Sequence, residues 1–248
     1  MLTFRDLTNE HAVMSWDKQQ SLFRVVGGDH DWKIDLAAAS LVLSNEQGTN
    51  EFLIQWLGTA AKATNEWIWS RASERVDVPD GLRDAARAIA RFGEEHSISE
   101  FTEPRASLAE LNPDVVALVC AGLCEADGYY RCETDEGAEY FLFENAAVRA
   151  AADSDPRRCM NLFLSILPHI DLDHKPAFIH YFSCKGYELS GVDEDPDDES
   201  TADPADLAAL VAKSPRGSVH GRFDELGRIR ELQVAPPADA ATGSETPS

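Results

Sequence analysis

Positive charge is scarce in this chain of 248 residues: 22 lysines and arginines face 44 aspartates and glutamates, for a formal net charge of -22. Nucleic acids are bound through cations that displace counterions, and anionic lipid surfaces attract basic segments, so no nucleic acid and no membrane is expected as a partner. Cysteine is equally uninformative. Cys120, Cys124, Cys132, Cys159 and Cys184 make an odd count of 5, with neither a disulfide framework nor the paired spacing of a zinc site. No apolar run is long enough to span a bilayer, and the opening MLTFRDLTNEHAVMSWDKQQ has no basic stretch followed by an apolar core. The expected compartment is therefore the reducing cytoplasm. Also missing are G-x-S-x-G, G-x-G-x-x-G and G-x-x-x-x-G-K-[ST], which removes the usual signals for a serine hydrolase and for nucleotide phosphates. No cofactor is expected.

What is present reads as a globular α+β chain, 44% hydrophobic and 27% charged. From Thr8 to Val26, Val13, Trp16, Leu22, Phe23 and Val26 fall at helical spacing, and Gly27-Gly28 ends the segment. WKIDL, ASLVL, FLIQWLGTA and EWIWS follow, short and rich in aromatic and aliphatic residues, with turn formers between them. They predict an antiparallel, tryptophan-rich β-meander covered by helices. Asp77 or Asp80, with Pro79, opens a helix carrying Leu82, Ala85, Ala86, Ile89 and Gly93; Asn112 with Pro113 opens another, apolar nearly all round. Three helix-hairpin units are then expected, at Asn112 to Phe143, Pro156 to Leu189 and Pro204 to Val234, with turns at Asp135-Glu136-Gly137, Cys184-Lys185-Gly186 and Glu225-Leu226-Gly227. Their spacing raises a repeat as an alternative to ordinary helix-hairpin alternation. The expected division is 1–145, 146–234 with a disordered acidic loop at 193–203, and a disordered tail at 235–248.

Three stretches carry a family resemblance. They are Gln55-Trp56-Leu57-Gly58 with Trp67-Ile68-Trp69, Arg91-Phe92-Gly93-Glu94-Glu95-His96 running into Ile98 and Glu100-Phe101-Thr102, and Ala126-Asp127-Gly128-Tyr129-Tyr130-Arg131. In this order and spacing the chain resembles the domain-of-unknown-function family 6882 over roughly residues 1–145, departing from it at Ser70-Arg71-Ala72. The resemblance implies a soluble bacterial α+β domain and implies no activity.

Two candidate sites remain. Trp67 and Trp69 are two apart on one strand and share a face, as a ligand platform would require; large aromatics more often form the bulk under a covering helix, and that is the reading preferred here. The second is His169, Asp171, Asp173 and His174 with His180, a set of nitrogen and oxygen donors suited to zinc. Its order resembles the HxHxDH element of the metallo-β-lactamase superfamily, with Asp171 where the second histidine stands. An ordinary loop after a helix accounts for the same residues, and is preferred. Asp193, Asp195 and Asp197 alternate as in a calcium loop, but Asp198 and Pro204 occupy the positions that need glycine and a bidentate glutamate. Cys184 beside Lys185 is the one thiol whose expected turn placement would expose it. The functional expectation is a non-enzymatic binding or interaction protein, immunity- or inhibitor-like, whose acidic surface meets a basic protein; the alternative is a metal-dependent hydrolase built on the His169 cluster.

Overall fold

The computed structural model describes residues 1–75, 78–151, 153–191 and 208–237. The expected acidic loop at 193–203, its calcium-like aspartates, Asp77 and the tail beyond residue 237 lie outside them. The chain is α+β and divides into two compact units, 1–152 and 153–248.

The first unit begins with α1 (Phe4–Val26), whose start is fixed by a capping box. The Thr3 hydroxyl accepts from the Asp6 amide while the Asp6 carboxylate accepts from the Thr3 amide. Strands β1 (Asp31–Asp35), β2 (Ser40–Asn45), β3 (Gly48–Ala61) and β4 (Glu66–Trp69) form the expected antiparallel meander. A 3-10 turn at Asp80–Arg83 leads into α2 (Asp84–His96), followed by the short α3 (Ser99–Thr102) and β5 (Arg105–Ser107), which pairs with β4. Next come α4 (Pro113–Leu123), capped by the Asn112 side chain, the hairpin of β6 (Gly128–Thr134) and β7 (Gly137–Glu144), and α5 (Ala146–Ala151).

The long β3 organises this sheet. On one edge its first half pairs with β2 and its last residues with β4, and on the other edge residues 53–61 pair with β7. A bulge at Leu57 leaves that residue without a partner on β7 and adjusts the strand's course halfway along. Between the β2 and β4 ladders the edge of β3 is served by single bonds: Ile54 N–H donates to the Ala39 carbonyl and the Ser70 hydroxyl to that of Trp56. Here the chain passes from one sheet face to the other. Leu82 packs into the cluster of Phe52, Ile54, Trp56, Phe141 and Phe143, whereas Ala85 N–H reaches Gln55 Oε1 on the opposite side. Arg75 and Arg83 each stack on the Trp56 ring, at 5.5 and 5.6 Å, an arrangement that draws on the attraction of a guanidinium for an indole face.

The opposite face carries Trp67 and Trp69, both 0% exposed. Room for them comes from their small neighbours on β3: a Cβ on Gly58 would lie 2.5 Å from Trp67 Cζ2. The two indoles meet edge to face at 5.4 Å, and the chain of rings continues from Trp67 to Tyr140 and from Trp69 to Phe101. At Gly93 the α2 backbone comes so close to α3 that a Cβ would lie 2.6 Å from that of Phe101.

In the second unit, α6 (Pro156–Ile166) and α7 (His174–Cys184) precede the meander of β8 (Glu188–Gly191), β9 (Ala208–Ser214), β10 (Gly217–Phe223) and β11 (Ile229–Ala235). Two of the three expected helix-hairpin units are corrected here, and with them the repeat. AFIHYFS is helix and not strand: Ala177, Phe178, Tyr181 and Phe182 are buried at helical spacing, and they pack on Phe163 and Phe223. The described part of the helix expected from Pro204 is instead β9, held between β8 and β10. Its alanines and leucine favour a helix locally, but pairing on both edges and burial of Val211 and Ala212 override that preference.

Candidate functional site

The platform reading requires accessible indoles, and the structure places Trp67 and Trp69 in the core; the Trp69 Nε1 proton is donated to the Glu100 carbonyl at 3.2 Å. The five candidate metal ligands do not converge. Exposed His169 sits in the turn after α6, Asp171 and Asp173 are exposed, and His174 opens α7 while His180 lies six residues further along it, on a different side of the helix. His174 Nδ1 accepts the Ile229 amide proton at 3.1 Å. Burial and the nearby Arg228 hold this imidazole below its ordinary pKa, which suits an acceptor role. Among the described residues no group of three or more His, Cys, Asp or Glu side chains could hold a metal ion. The metal reading is set aside for that reason. Cys184 is exposed, but at the end of a helix rather than in a hairpin turn.

What the fold does build is an open cleft of about 680 Å³ in the first unit, on the tryptophan face of the sheet where α2 and the end of α4 leave it uncovered. Leu53, Gln55 and Leu142 supply the floor, Asp84, Ala85, Ala88 and Arg91 one wall, and Leu123, Cys124 and Ala126 the other. The exposed apolar side chain of the floor is Leu53, which falls out of phase with its strand. Phe52, Ile54 and Trp56 turn inward, and Leu53 between them is 70% exposed. The Gln55 side-chain carbonyl accepts the Ala85 amide of α2, which ties that wall to the floor. The rim is mixed in charge, with exposed Asp84, Glu144 and Arg91. Burial pushes the Cys124 thiol on the cleft wall up to about 11, so it stays protonated near neutrality.

The three stretches that carry the family resemblance meet at this cleft, through Gln55, Arg91 and Ala126. Asp127, next to Ala126, anchors that wall. Asp127, with a side chain 0% exposed, takes a bidentate pair from Arg149 at 2.8 and 2.9 Å and the Asn145 amide at 2.7 Å, tying α5 to the start of β6. Burial alone would raise its pKa, but Arg149 and Asn145 together hold it below the ordinary carboxylate value. Arg71 Nη2 donates to the carbonyls of Phe101, Thr102 and Glu103, clamping the end of α3. Sequence reasoning missed the cleft because its residues are scattered along the chain. The one local signal was an apolar residue, Leu53, on the outward phase of a strand.

Residues 5–146 match the model of a family of unknown function (DUF6882), more than half the chain, and the chain belongs to that family. No curated protein and no solved structure matches it. Among the described residues, no helix is long and apolar enough to cross a membrane.

Proposed function

We propose that this member of the family is a non-enzymatic binding protein that receives part of a basic protein partner in the cleft over β3 and β7, in an immunity- or inhibitor-like role within the cytoplasm. The observation that carries the reading is the cleft itself: a floor centred on exposed Leu53 with carboxylates at its rim, in a chain of net charge -22. Such a surface attracts cations over a distance and rewards an apolar side chain on contact. The buried Asp127 carboxylate holds the start of β6, next to the wall residue Ala126, in place before a partner arrives, which lowers the ordering cost of association. The cleft chemistry favours binding over catalysis, since its only thiol is held protonated and its carboxylates are exposed at the rim. The test is affinity capture from the native host at low and high salt, with the captured protein identified and rebound to the variants Leu53→Lys and Glu144→Lys. A basic protein lost at high salt and bound poorly by both variants supports the proposal. Recovery of no basic protein, or a partner indifferent to both substitutions, removes it.

A further inference from the structure

The sheet of the first unit is protected along most of its boundary. On β6 the Tyr129 amide, which points away from β7, is taken by Gln19 Oε1 of α1 at 3.2 Å. The stretch of β3 between the β2 and β4 ladders is served by Ala39 and Ser70. Strand β5 is short, and β1 carries Asp31, Lys33 and Asp35, features that discourage further pairing.

One stretch of β3 is different. Strand β7 ends at Glu144, opposite Leu53, while β3 begins at Gly48, so residues 48–52 have β2 on one side and, among the described residues, no strand on the other. The ladder fixes which backbone groups face that open side. Ile54 N–H points to β2, so by alternation Phe52, Asn50 and Gly48 do the same, and Thr49 and Glu51 turn their N–H and C=O groups outward. Both residues are exposed. Leu53 and the cleft continue directly from this edge, and Glu51, Glu144 and Asp84 are the exposed carboxylates around it.

We infer that the edge of β3 at Thr49–Glu51 is a strand-addition site, taking an extended segment that alternates apolar and basic side chains and continues the line of β7. The inference rests on the proposed binding function and specifies its mode. Backbone groups of the incoming segment pair with Thr49 and Glu51; its lysines or arginines share the face of Glu51, Leu53 and Glu144, meeting the two carboxylates while their alkyl stems lie along Leu53, and its apolar side chains take the opposite face. Main-chain pairing supplies affinity and the alternate side chains supply selection. Arg91 on the cleft wall is placed to meet a carbonyl of the same segment.

The probe is a blocked, fluorescent octapeptide alternating lysine with valine and leucine, compared by anisotropy with a copy N-methylated at its four central amides. Both carry the same charge, but only the first can complete a ladder. Expected is binding of the first by the full chain, weakened about tenfold or more by N-methylation, as the loss of two hydrogen bonds implies. Weaker binding to Leu53→Lys and slowed hydrogen exchange at Thr49 and Glu51 are also expected. Equal binding of the two peptides would mean capture by charge alone, overturning strand addition and leaving the proposed function standing. Failure of both peptides to bind, while the captured basic protein still binds, overturns it as well. A chain that elutes as a dimer and becomes monomeric on Leu53→Lys assigns the edge to a second copy and equally defeats the inference.

Discussion

Gly58 and Trp67 offer the sharpest test of how the tryptophan face is built. Trp67 is 0% exposed, and a buried aromatic of this size withdraws roughly 150 to 250 Å² from water, so Trp67→Ala should cost about 4 kcal/mol. Gly58→Ala acts from the other side of the same contact. Its new methyl would lie 2.5 Å from Trp67 Cζ2, 2.9 Å from Cη2 and 2.7 Å from the Ile68 carbonyl oxygen, so ring and backbone must both shift. Overpacking of this kind costs about 2 to 3 kcal/mol. The double variant should fall short of the sum, because removing the indole relieves the two ring contacts, whereas the Ile68 carbonyl still opposes the methyl. A coupling of about 1 kcal/mol follows for residues in direct contact. Urea unfolding of the full chain, followed by far-ultraviolet circular dichroism to avoid the lost fluorophore, yields the three values, with the two units fitted as separate transitions where they separate. Additive costs, or a Trp67→Ala loss below about 1 kcal/mol, would refute the packing described.

Other expectations follow from single contacts. Asp127→Asn should destabilise the first unit by about 1.5 to 3 kcal/mol at neutral pH, since the buried carboxylate loses its charge-assisted bonds to the largely exposed Arg149 and to the Asn145 amide. The Asp127 pKa is lowered on folding, so its contribution is present above the ordinary carboxylate range and is lost as pH falls through the lowered value; the variant should therefore show a flatter loss of stability in acid, and an unchanged acid limb would count against the pairing. Arg71→Met should cost about 2 kcal/mol and speed exchange of the α3 amides, while stability equal to the parent would show that the three carbonyl contacts are idle. A maleimide at neutral pH should modify exposed Cys184 rapidly and buried Cys120, Cys132 and Cys159 only on unfolding; rapid labelling of Cys120, whose thiol burial raises well above its usual value, would contradict the packing of α4.

Much of the first unit was legible locally. The strands announced themselves by aromatic and β-branched runs between turns such as Asn45-Glu46-Gln47-Gly48, and Asn112-Pro113 marked the start of α4. What failed depended on partners distant in sequence. Strand β9 reads as helix until its neighbours are known, and α7 reads as strand because phenylalanine, isoleucine and tyrosine suit a sheet when their burial pattern is unseen. The bulge at Leu57 leaves no mark in composition, since it records an extra residue relative to β7. The His169 cluster looked dense because its donors are close in sequence, yet helix geometry separates His174 from His180. The cleft had the opposite character: residues 53–55, 84–91, 123–126 and 142–144 meet only in the fold.

The central claim is that the cleft over β3 and β7 is where this protein binds, and the most direct measurement is an amide chemical-shift titration of the labelled full chain with its captured basic partner. The account predicts shifts concentrated at Thr49, Glu51, Leu53, Ala85, Ala88, Arg91, Leu142 and Glu144. Shifts confined to residues 153–248, with these positions unmoved, would contradict it.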